Sequence, residues 1–124
     1  MADSVDPVDD AARLDDYTIG VAALHALVTE LPARPPVTTG RMFNGDGVRV
    51  RGRFFAFIGR NGDLIAKLPA PRVRELASQQ IGAPVVMGSR TMREWARFPV
   101  EAGVGIWSEV LGEAYTFVLT GAPG

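Results

Sequence analysis

Short apolar runs separated by glycines dominate residues 41–68 and predict β-strands. Asn61-Gly62 is the strongest hairpin signal, because a type I′ turn needs positive φ at both central residues and Asn-Gly adopts it readily. Arg51-Gly52 is a second, weaker turn signal. Asn44–Gly47 is too long for a two-residue turn and predicts a looser hairpin loop. The segment is therefore predicted to form a four-stranded antiparallel meander.

Helical periodicity precedes this segment. Apolar residues recur three and four positions apart and predict one buried helix face, with Asp9 or Asp10 as the N-cap and Pro32 at the end of the helix. This apolar stripe consists of Leu14, Tyr17, Val21, Leu24, Val28 and Leu31.

Helical and strand patterns alternate after Leu68. A second helix is predicted from Pro71 to Gly82, and a third is predicted to end at Gly121. Val85–Met87 reads as a short strand, and Met92–Phe98 as a strand or a helical turn, with the strand favoured. The apolar faces of the two helices are formed by Val73, Leu76, Ala77 and Ile81, and by Trp107, Val110, Leu111, Ala114 and Val118.

Composition predicts one domain. A chain of 124 residues with 47% hydrophobic content can bury a core without disulfides or metals. The absence of cysteine excludes thiol chemistry and cysteine-ligated zinc, and the cytoplasm is the expected compartment. The acidic start, Met1–Asp10, differs from a basic signal peptide. The apolar stretch Ile19–Val28 is shorter than the roughly 20 residues of a membrane span, so no membrane contact is expected.

Charge is segregated along the chain. Residues 1–33 carry seven acids and one base, residues 34–97 carry twelve bases and four acids, and the remaining residues carry three acids. Clustered bases are what nucleic-acid phosphates contact, although arginines also line solvated strands and helices. Nucleic acid is therefore an alternative ligand and is not the expected one.

Residues that could support catalysis are sparse. His25 is the single histidine and has no partner at catalytic spacing, and no serine lies in a Gly-x-Ser-x-Gly elbow. The acids of the first helix fit the helix dipole better than a Ca²⁺ loop. Gly103-Val104-Gly105 lacks the further residues of a phosphate-binding loop. The sequence therefore predicts no catalytic residue, no cofactor and no metal site.

Strand pairing predicts two sheet faces of different character. Two-residue turns at Arg51-Gly52 and Asn61-Gly62 place Phe57 opposite Ala66. The predicted core face comprises Val48, Val50, Phe55, Phe57, Leu64, Ala66 and Leu68. The opposite face comprises Arg49, Phe54, Ala56, Ile58, Ile65 and Lys67, which is too apolar for a free surface.

We interpret part of this second face as an interaction surface with an apolar centre and a basic rim, the composition of a contact patch. A homodimer is its expected use, because a two-fold contact reuses one patch. The alternative is a cover within the chain, formed by the segment after the second helix with Trp95 and Phe98. The residues of the predicted interaction surface are Arg49, Phe54, Ile58, Ile65 and Lys67.

Five short motifs occur in order within residues 15–119. They are Arg41-Met42-Phe43-x-Gly45-x-Gly47-Val48, Gly52-Arg53-Phe54-Phe55-Ala56-Phe57, Lys67-Leu68-Pro69-Ala70, Met92-x-x-Trp95-x-x-x-Pro99 and Trp107-x-x-x-Leu111-x-x-Ala114. In this order and spacing they resemble the N-terminal domain of the TfoX/Sxy family of bacterial competence regulators. The resemblance implies a two-layer α+β domain in which helices cover an antiparallel sheet, similar to the fold of type III secretion chaperones. It assigns no catalytic residue, and family regulators carry a second, C-terminal domain beyond the region matched here.

The expected organisation is a flexible N-terminus with the start of helix one (1–14), a TfoX N-terminal-like domain (15–119) and a loose C-terminus (120–124). The expected function is that of a non-enzymatic regulatory or protein-interaction module, linked to transcriptional or competence regulation and acting through a protein partner or a second copy. The alternative is a small-ligand or nucleic-acid binder that uses Arg41, Arg49 and Lys67, with Arg41 as a ligand contact.

Overall fold

Helices and strands follow the predicted order along the chain. A computed structural model describes the backbone of residues 5–42 and 45–121, and the side chains of residues 16–41 and 45–121. The helices are α1 (Val5–Glu30), α2 (Ala70–Ser78) and α3 (Val104–Leu119), with a 3-10 turn at Val100–Ala102 before α3. The strands are β1 (Val37–Met42), β2 (Gly45–Val50), β3 (Arg53–Ile58), β4 (Leu64–Lys67), β5 (Ala83–Met87) and β6 (Arg90–Phe98).

The strands form one antiparallel sheet in the order β1-β2-β3-β4-β6-β5. The first four strands are neighbours in sequence and in space, which confirms the predicted meander. The two later strands were also predicted, and β6 extends the sheet beside β4. Apolar side chains of all three helices join one sheet face in a single core. The predicted two-layer α+β fold is thereby confirmed.

The helix stripes supply the core as their periodicity predicts. Leu24 of α1, Val73 and Leu76 of α2, and Trp107 and Leu111 of α3 are all buried. Each lies in the cluster that also contains the helix-facing strand residues. Burial of these apolar side chains is therefore what holds the helices on the sheet.

The start of α1 differs from the prediction. The helix begins at Val5, so Asp9 and Asp10 lie inside it and neither is its N-cap. The side chain of Leu14, the first residue of the predicted stripe, lies outside the described residues. Residues 1–4 of the predicted flexible N-terminus (1–14) and residues 122–124 of the predicted loose C-terminus (120–124) lie outside them as well.

Two of the predicted turns have different geometries. Arg51-Gly52 is the two-residue turn, with φ of 53° and 77° and with Val50 paired to Arg53. The loop at Asn61-Gly62 has three residues, because the Gly59 N–H donates to the Asp63 carbonyl oxygen at 2.9 Å. Only Gly62 of this loop has a positive φ, 86°, as in a type I turn followed by a glycine bulge.

The predicted loop at Asn44–Gly47 was wrong over its last three residues. Gly45, Asp46 and Gly47 are strand residues that pair with Met42, Arg41 and Gly40, while Asn44 lies outside the described residues.

A β-bulge in β3 changes which residues face the helices. Val48 pairs with Ala56 whereas Arg49 pairs with Phe54, so Phe55 is the extra residue. Residues beyond a bulge exchange faces relative to a regular ladder. Together with the three-residue loop, the bulge pairs Phe57 with Ile65 and leaves Ile58 fully buried in the helix-side core. The predicted faces of Ala56, Phe57 and Ile58 were therefore wrong.

The tip of the β3–β4 hairpin lies directly against α1. A methyl group on Gly20 would come within 2.4 Å of the Gly62 carbonyl oxygen, and one on Gly62 within 2.2 Å of the Asp16 carbonyl oxygen. Real Cβ atoms do not approach other atoms this closely. The absence of two side chains thus lets the two backbones touch.

Candidate interaction surface

The sheet face opposite the helices is called the outer face below. Paired residues of antiparallel strands point to the same side of the sheet. One row across the outer face therefore consists of Gly40, Gly47, Phe57, Ile65 and Arg97. Two further pairs on the same side are Arg49 with Phe54 and Lys67 with Trp95.

An apolar centre occupies the middle of the outer face. Phe57, Ile65 and Val85 are 4%, 8% and 8% exposed, and the half-buried Met92 and Trp95 pack against them. The rings of Phe57 and Trp95 meet edge to face with their centroids 5.5 Å apart. All five residues come from strands, so the sheet buries its own apolar centre without a helix among the described side chains.

A break in the pairing of β5 and β6 explains how this cover arises. Pro84 pairs with Ala96 but Val85 pairs with Met92, so residues 93–95 have no partner on β5. Irregularities of this kind bend a strand pair. Trp95 thus covers the outer face, as the in-chain alternative predicted, whereas Phe98 belongs to the helix-side core.

Arg49 and Phe54 form the first cationic pair of the outer face. The Arg49 guanidinium lies 5.5 Å from the centre of the Phe54 ring, and its Nη2 donates to the Thr39 carbonyl oxygen at 2.7 Å. Arg49 Nε is buried and donates to none of the described residues. A Cβ at Gly40 would lie 3.0 Å from the guanidinium carbon, and one at Gly47 would lie 2.9 Å from the Phe54 ring. The two glycines therefore form a floor on which both side chains lie.

Lys67 and Arg97 are the other two basic residues in the outer-face pairs named above. Lys67 Nζ lies 5.7 Å from the centre of the Trp95 ring, a cation–π distance. Arg97 Nε lies 3.7 Å from a carboxylate oxygen of Asp63, and the Arg97 side chain is 52% exposed. Both bases keep N–H donors for a further acceptor, because a cation–π contact uses none of them and the ion pair is long.

Asp63 is the acid paired with Arg97, and its side chain is 19% exposed. Burial raises the pKa of Asp63 above its ordinary value, Arg97 opposes this shift, and Glu101 and Asp16 add to it. Ionisation of this carboxyl group is therefore less favourable in the folded protein than in the unfolded chain.

We expect the free energy of unfolding to contain a term that falls as the pH rises through the pKa of Asp63. The folded state holds this proton more tightly than the unfolded chain, so the stabilising contribution exists below that pKa and is lost above it. Urea denaturation at about pH 3.5 and about pH 7 should show Asp63→Asn gaining stability relative to wild type at the higher pH. A difference that favours wild type more at neutral pH would contradict this assignment.

The structure brings together four of the five residues of the predicted interaction surface. Arg49, Phe54, Ile65 and Lys67 share the outer face, where Ile65 is only 8% exposed, whereas Ile58 is fully buried in the helix-side core. The predicted surface left out Phe57, whose face is changed by the bulge, and Arg97 of β6. Arg97 alternates correctly with Trp95 along β6, so strand parity alone could have placed it here once that strand was paired with β4.

Arg41, the predicted ligand contact, lies away from these residues. It pairs with Asp46, and Asp46 accepts a hydrogen bond at 2.8 Å from the hydroxyl of Tyr17 on α1. Paired residues share a face, which places Arg41 on the helix side of the sheet edge. The structure therefore does not unite Arg41 with Arg49 and Lys67 in one site.

Other kinds of site find little support among the described residues. They contain no group of three His, Cys, Asp or Glu side chains placed to hold a metal ion. Over the same part of the chain, none of the helices combines the length and the apolar character needed to cross a bilayer. No protein-family model, curated protein or solved structure matches the chain.

Proposed function

We propose that this chain is a non-enzymatic protein-interaction module with a regulatory role, and that it binds its partner through the outer face. The observation that carries the proposal is a sheet face that no described helix covers, on which the half-buried Met92 and Trp95 lie over a buried apolar centre and the bases Arg49 and Lys67 lie beside aromatic rings. Mixed apolar and cationic surfaces, with Arg and aromatic residues, are typical of protein contacts.

The resemblance to the TfoX/Sxy N-terminal domain supports a regulatory role. It points to a bacterial, cytoplasmic protein linked to transcriptional or competence control. The two-layer fold agrees with what this resemblance implies, although the same fold serves many functions. The regulatory role is therefore proposed from the sequence motifs, and the binding surface is proposed from the geometry of the outer face.

A capture experiment with two matched variants tests the proposed function. The wild-type chain, Trp95→Ala and Phe117→Ala are immobilised and exposed to native lysate, and retained proteins are identified by mass spectrometry. Trp95 lies on the outer face and Phe117 on α3, and both are half-buried aromatics. We expect a protein that wild type and Phe117→Ala retain and Trp95→Ala loses. Equal retention by all three, or no specific retention, would contradict the proposal.

Nucleic acid remains the competing ligand class, and we expect its binding to be weak and nonspecific. Single-stranded nucleic acid needs free aromatic faces on which bases stack. Here the Phe54 ring lies on Gly47 with Arg49 over it, and Lys67 lies over the Trp95 ring. Electrophoretic mobility shifts at physiological salt measure this, and a sub-micromolar, sequence-selective complex would reverse the ranking.

A further inference from the structure

We propose that the open edge of strand β1 binds an extended segment of a protein partner by β-sheet pairing, with a carboxylate of that segment against the Arg49 guanidinium. This inference goes beyond the proposed function, because it adds a contact at the edge of the sheet that binding through the outer face does not require.

The backbone of β1 presents hydrogen-bonding groups to this edge. Both residues of the β2–β3 turn have positive φ, 53° and 77°, as in the type I′ turn of a two-residue hairpin. Hydrogen bonds between the flanking residues Val50 and Arg53 close such a turn, so Val50 points its N–H and C=O away from its β1 partner Val37. Hydrogen-bonded and non-hydrogen-bonded pairs alternate along an antiparallel ladder. Val37 and Thr39 therefore direct both backbone groups to the open edge.

A side chain of the neighbouring strand already uses one of these edge groups. Arg49 reaches over Gly40 and donates from Nη2 to the Thr39 carbonyl oxygen at 2.7 Å. Among the described residues the Thr39 N–H has no hydrogen-bond partner, and Thr38 and Thr39 are both exposed. A carbonyl oxygen has two lone pairs, so an added strand can bond Thr39 with or without displacing Arg49.

Strand β5, the other edge of the sheet, is protected against such pairing. Pro84 within it has no N–H, and its ladder with β6 is interrupted between Pro84 and Val85. Proline and irregular pairing are two devices that keep edge strands from pairing with other chains. β1 has neither, because its six residues contain no proline and pair with β2 without a break. The geometry of β1 therefore permits an added strand.

Arg49 specifies the chemistry of the added strand. Paired residues share a face, so a partner residue opposite Gly40 lies on the outer face, next to the guanidinium that crosses Gly40. Neighbouring strands are about 4.8 Å apart, a distance that an Asp or Glu side chain spans. The Phe54 ring, with its centre 5.5 Å from the guanidinium carbon, and the Thr39 carbonyl oxygen both hold Arg49 in place. Little side-chain freedom is therefore lost when a carboxylate binds it.

A second copy of this chain fits the edge less well. Two copies that pair β1 with β1 about a two-fold axis would place both Arg49 guanidiniums on the same sheet face, one on each side of the axis. Like charges across an interface oppose association. A segment that carries a carboxylate instead offers Arg49 an opposite charge.

Selection from a phage-displayed library of random decapeptides supplies the probe. The baits are the wild-type chain, Thr39→Pro, which removes the N–H that points to the edge, and Val86→Pro, the same substitution on the protected edge. Circular dichroism and chemical denaturation first establish that each chain folds. Wild type and Val86→Pro are expected to enrich peptides with an acidic residue in a β-branched run, and Thr39→Pro to bind them at least about tenfold more weakly.

Backbone methylation of a selected peptide tests strand pairing even where Thr39→Pro fails to fold. A methyl group on a peptide nitrogen removes its N–H, and only alternate N–H groups of a paired strand face the neighbouring strand. Methylation of single nitrogens should therefore weaken binding by about tenfold at every second position and by less than about twofold between them. Hydrogen exchange followed by NMR should show that the peptide protects the Thr39 amide.

Arg49→Gln tests the carboxylate contact, with Arg53→Gln as the control at an exposed arginine of β3. The Arg49 variant should bind the acidic peptide about tenfold more weakly than wild type does. The same peptide with its acid replaced by the corresponding amide should bind wild type and Arg49→Gln equally. Arg53→Gln should bind both peptides as wild type does.

Each other outcome overturns the inference. Binding that Trp95→Ala loses and Thr39→Pro keeps would exclude the edge and support the outer face of the proposed function. Enrichment of no peptide, or methylation effects without a period of two, would exclude strand pairing. Selected peptides without an acidic residue would exclude the role of Arg49. Sedimentation equilibrium showing a dimer that Thr39→Pro dissociates would make a second copy the occupant.

Discussion

Replacing Ile58 with alanine is expected to lower the free energy of unfolding by about 2–5 kcal/mol, the cost of truncating a fully buried isoleucine. Ile58 is 0% exposed and packs in the helix-side core because the bulge at Phe55 turns it inward. Ile19→Ala is the matched control, since Ile19 is 52% exposed on α1. Its stability should change by no more than about 0.5 kcal/mol.

Urea denaturation followed by circular dichroism measures both variants. A regular β2–β3 ladder without the bulge would place Ile58 on the outer face, where its truncation would cost far less. Similar small losses for Ile58→Ala and Ile19→Ala would therefore show that the bulge is absent.

Replacing Gly20 with alanine is expected to destabilise the protein by about 1–3 kcal/mol, the usual cost of overpacking a close contact. Its added methyl group would lie 2.4 Å from the Gly62 carbonyl oxygen, and backbone on both sides leaves no flexible side chain to move. This result is the reverse of the ordinary effect, because alanine exceeds glycine in helix propensity by about 1 kcal/mol.

Gly112→Ala in α3 supplies the comparison for Gly20→Ala. Apart from its own helix backbone and chain neighbours, none of the described residues has an atom within 4 Å of a Cβ built at Gly112, so only the propensity gain of up to about 1 kcal/mol should remain. Chemical denaturation should thus give opposite signs for the same substitution in two helices. Stabilisation by both would mean that α1 does not touch the β3–β4 hairpin.

Periodicity predicted the fold because burial produces periodic sequences. The stripes around Leu24, Leu76 and Leu111 were visible in the sequence and are buried in the structure. A bulge leaves no comparable signal, since one extra residue in β3 changes no local propensity. The loop at Asn61-Gly62 also depends on a distant contact, because Gly62 lies under α1. Local turn rules cannot include that contact.

The sequence predicted that the candidate surface combines apolar and basic residues, but it identified only some of those residues. Alternation along the strands identified four members correctly, namely Arg49, Phe54, Ile65 and Lys67. The bulge at Phe55 and the three-residue loop shift the pairing by one residue each, and together they leave the faces of these four residues as predicted. Ile58 was lost to the bulge. Trp95 was seen only as a candidate cover, because the irregular pairing of β5 with β6 depends on tertiary packing that no short motif encodes.

The paired glycines Gly40 and Gly47 determine how close the Arg49 and Phe54 side chains lie to the sheet backbone at one end of the outer face. Because neither position carries a side chain, the Phe54 ring and the Arg49 guanidinium lie almost on the backbone of β1 and β2. A methyl group at Gly47 would lie 2.9 Å from the Phe54 ring and 3.1 Å from the Ala56 carbonyl oxygen, so it would displace the ring without adding or removing any charge. Substitutions at these two glycines can therefore change the shape of this surface without changing its charges, because the glycines lie beneath the side chains that a partner would contact.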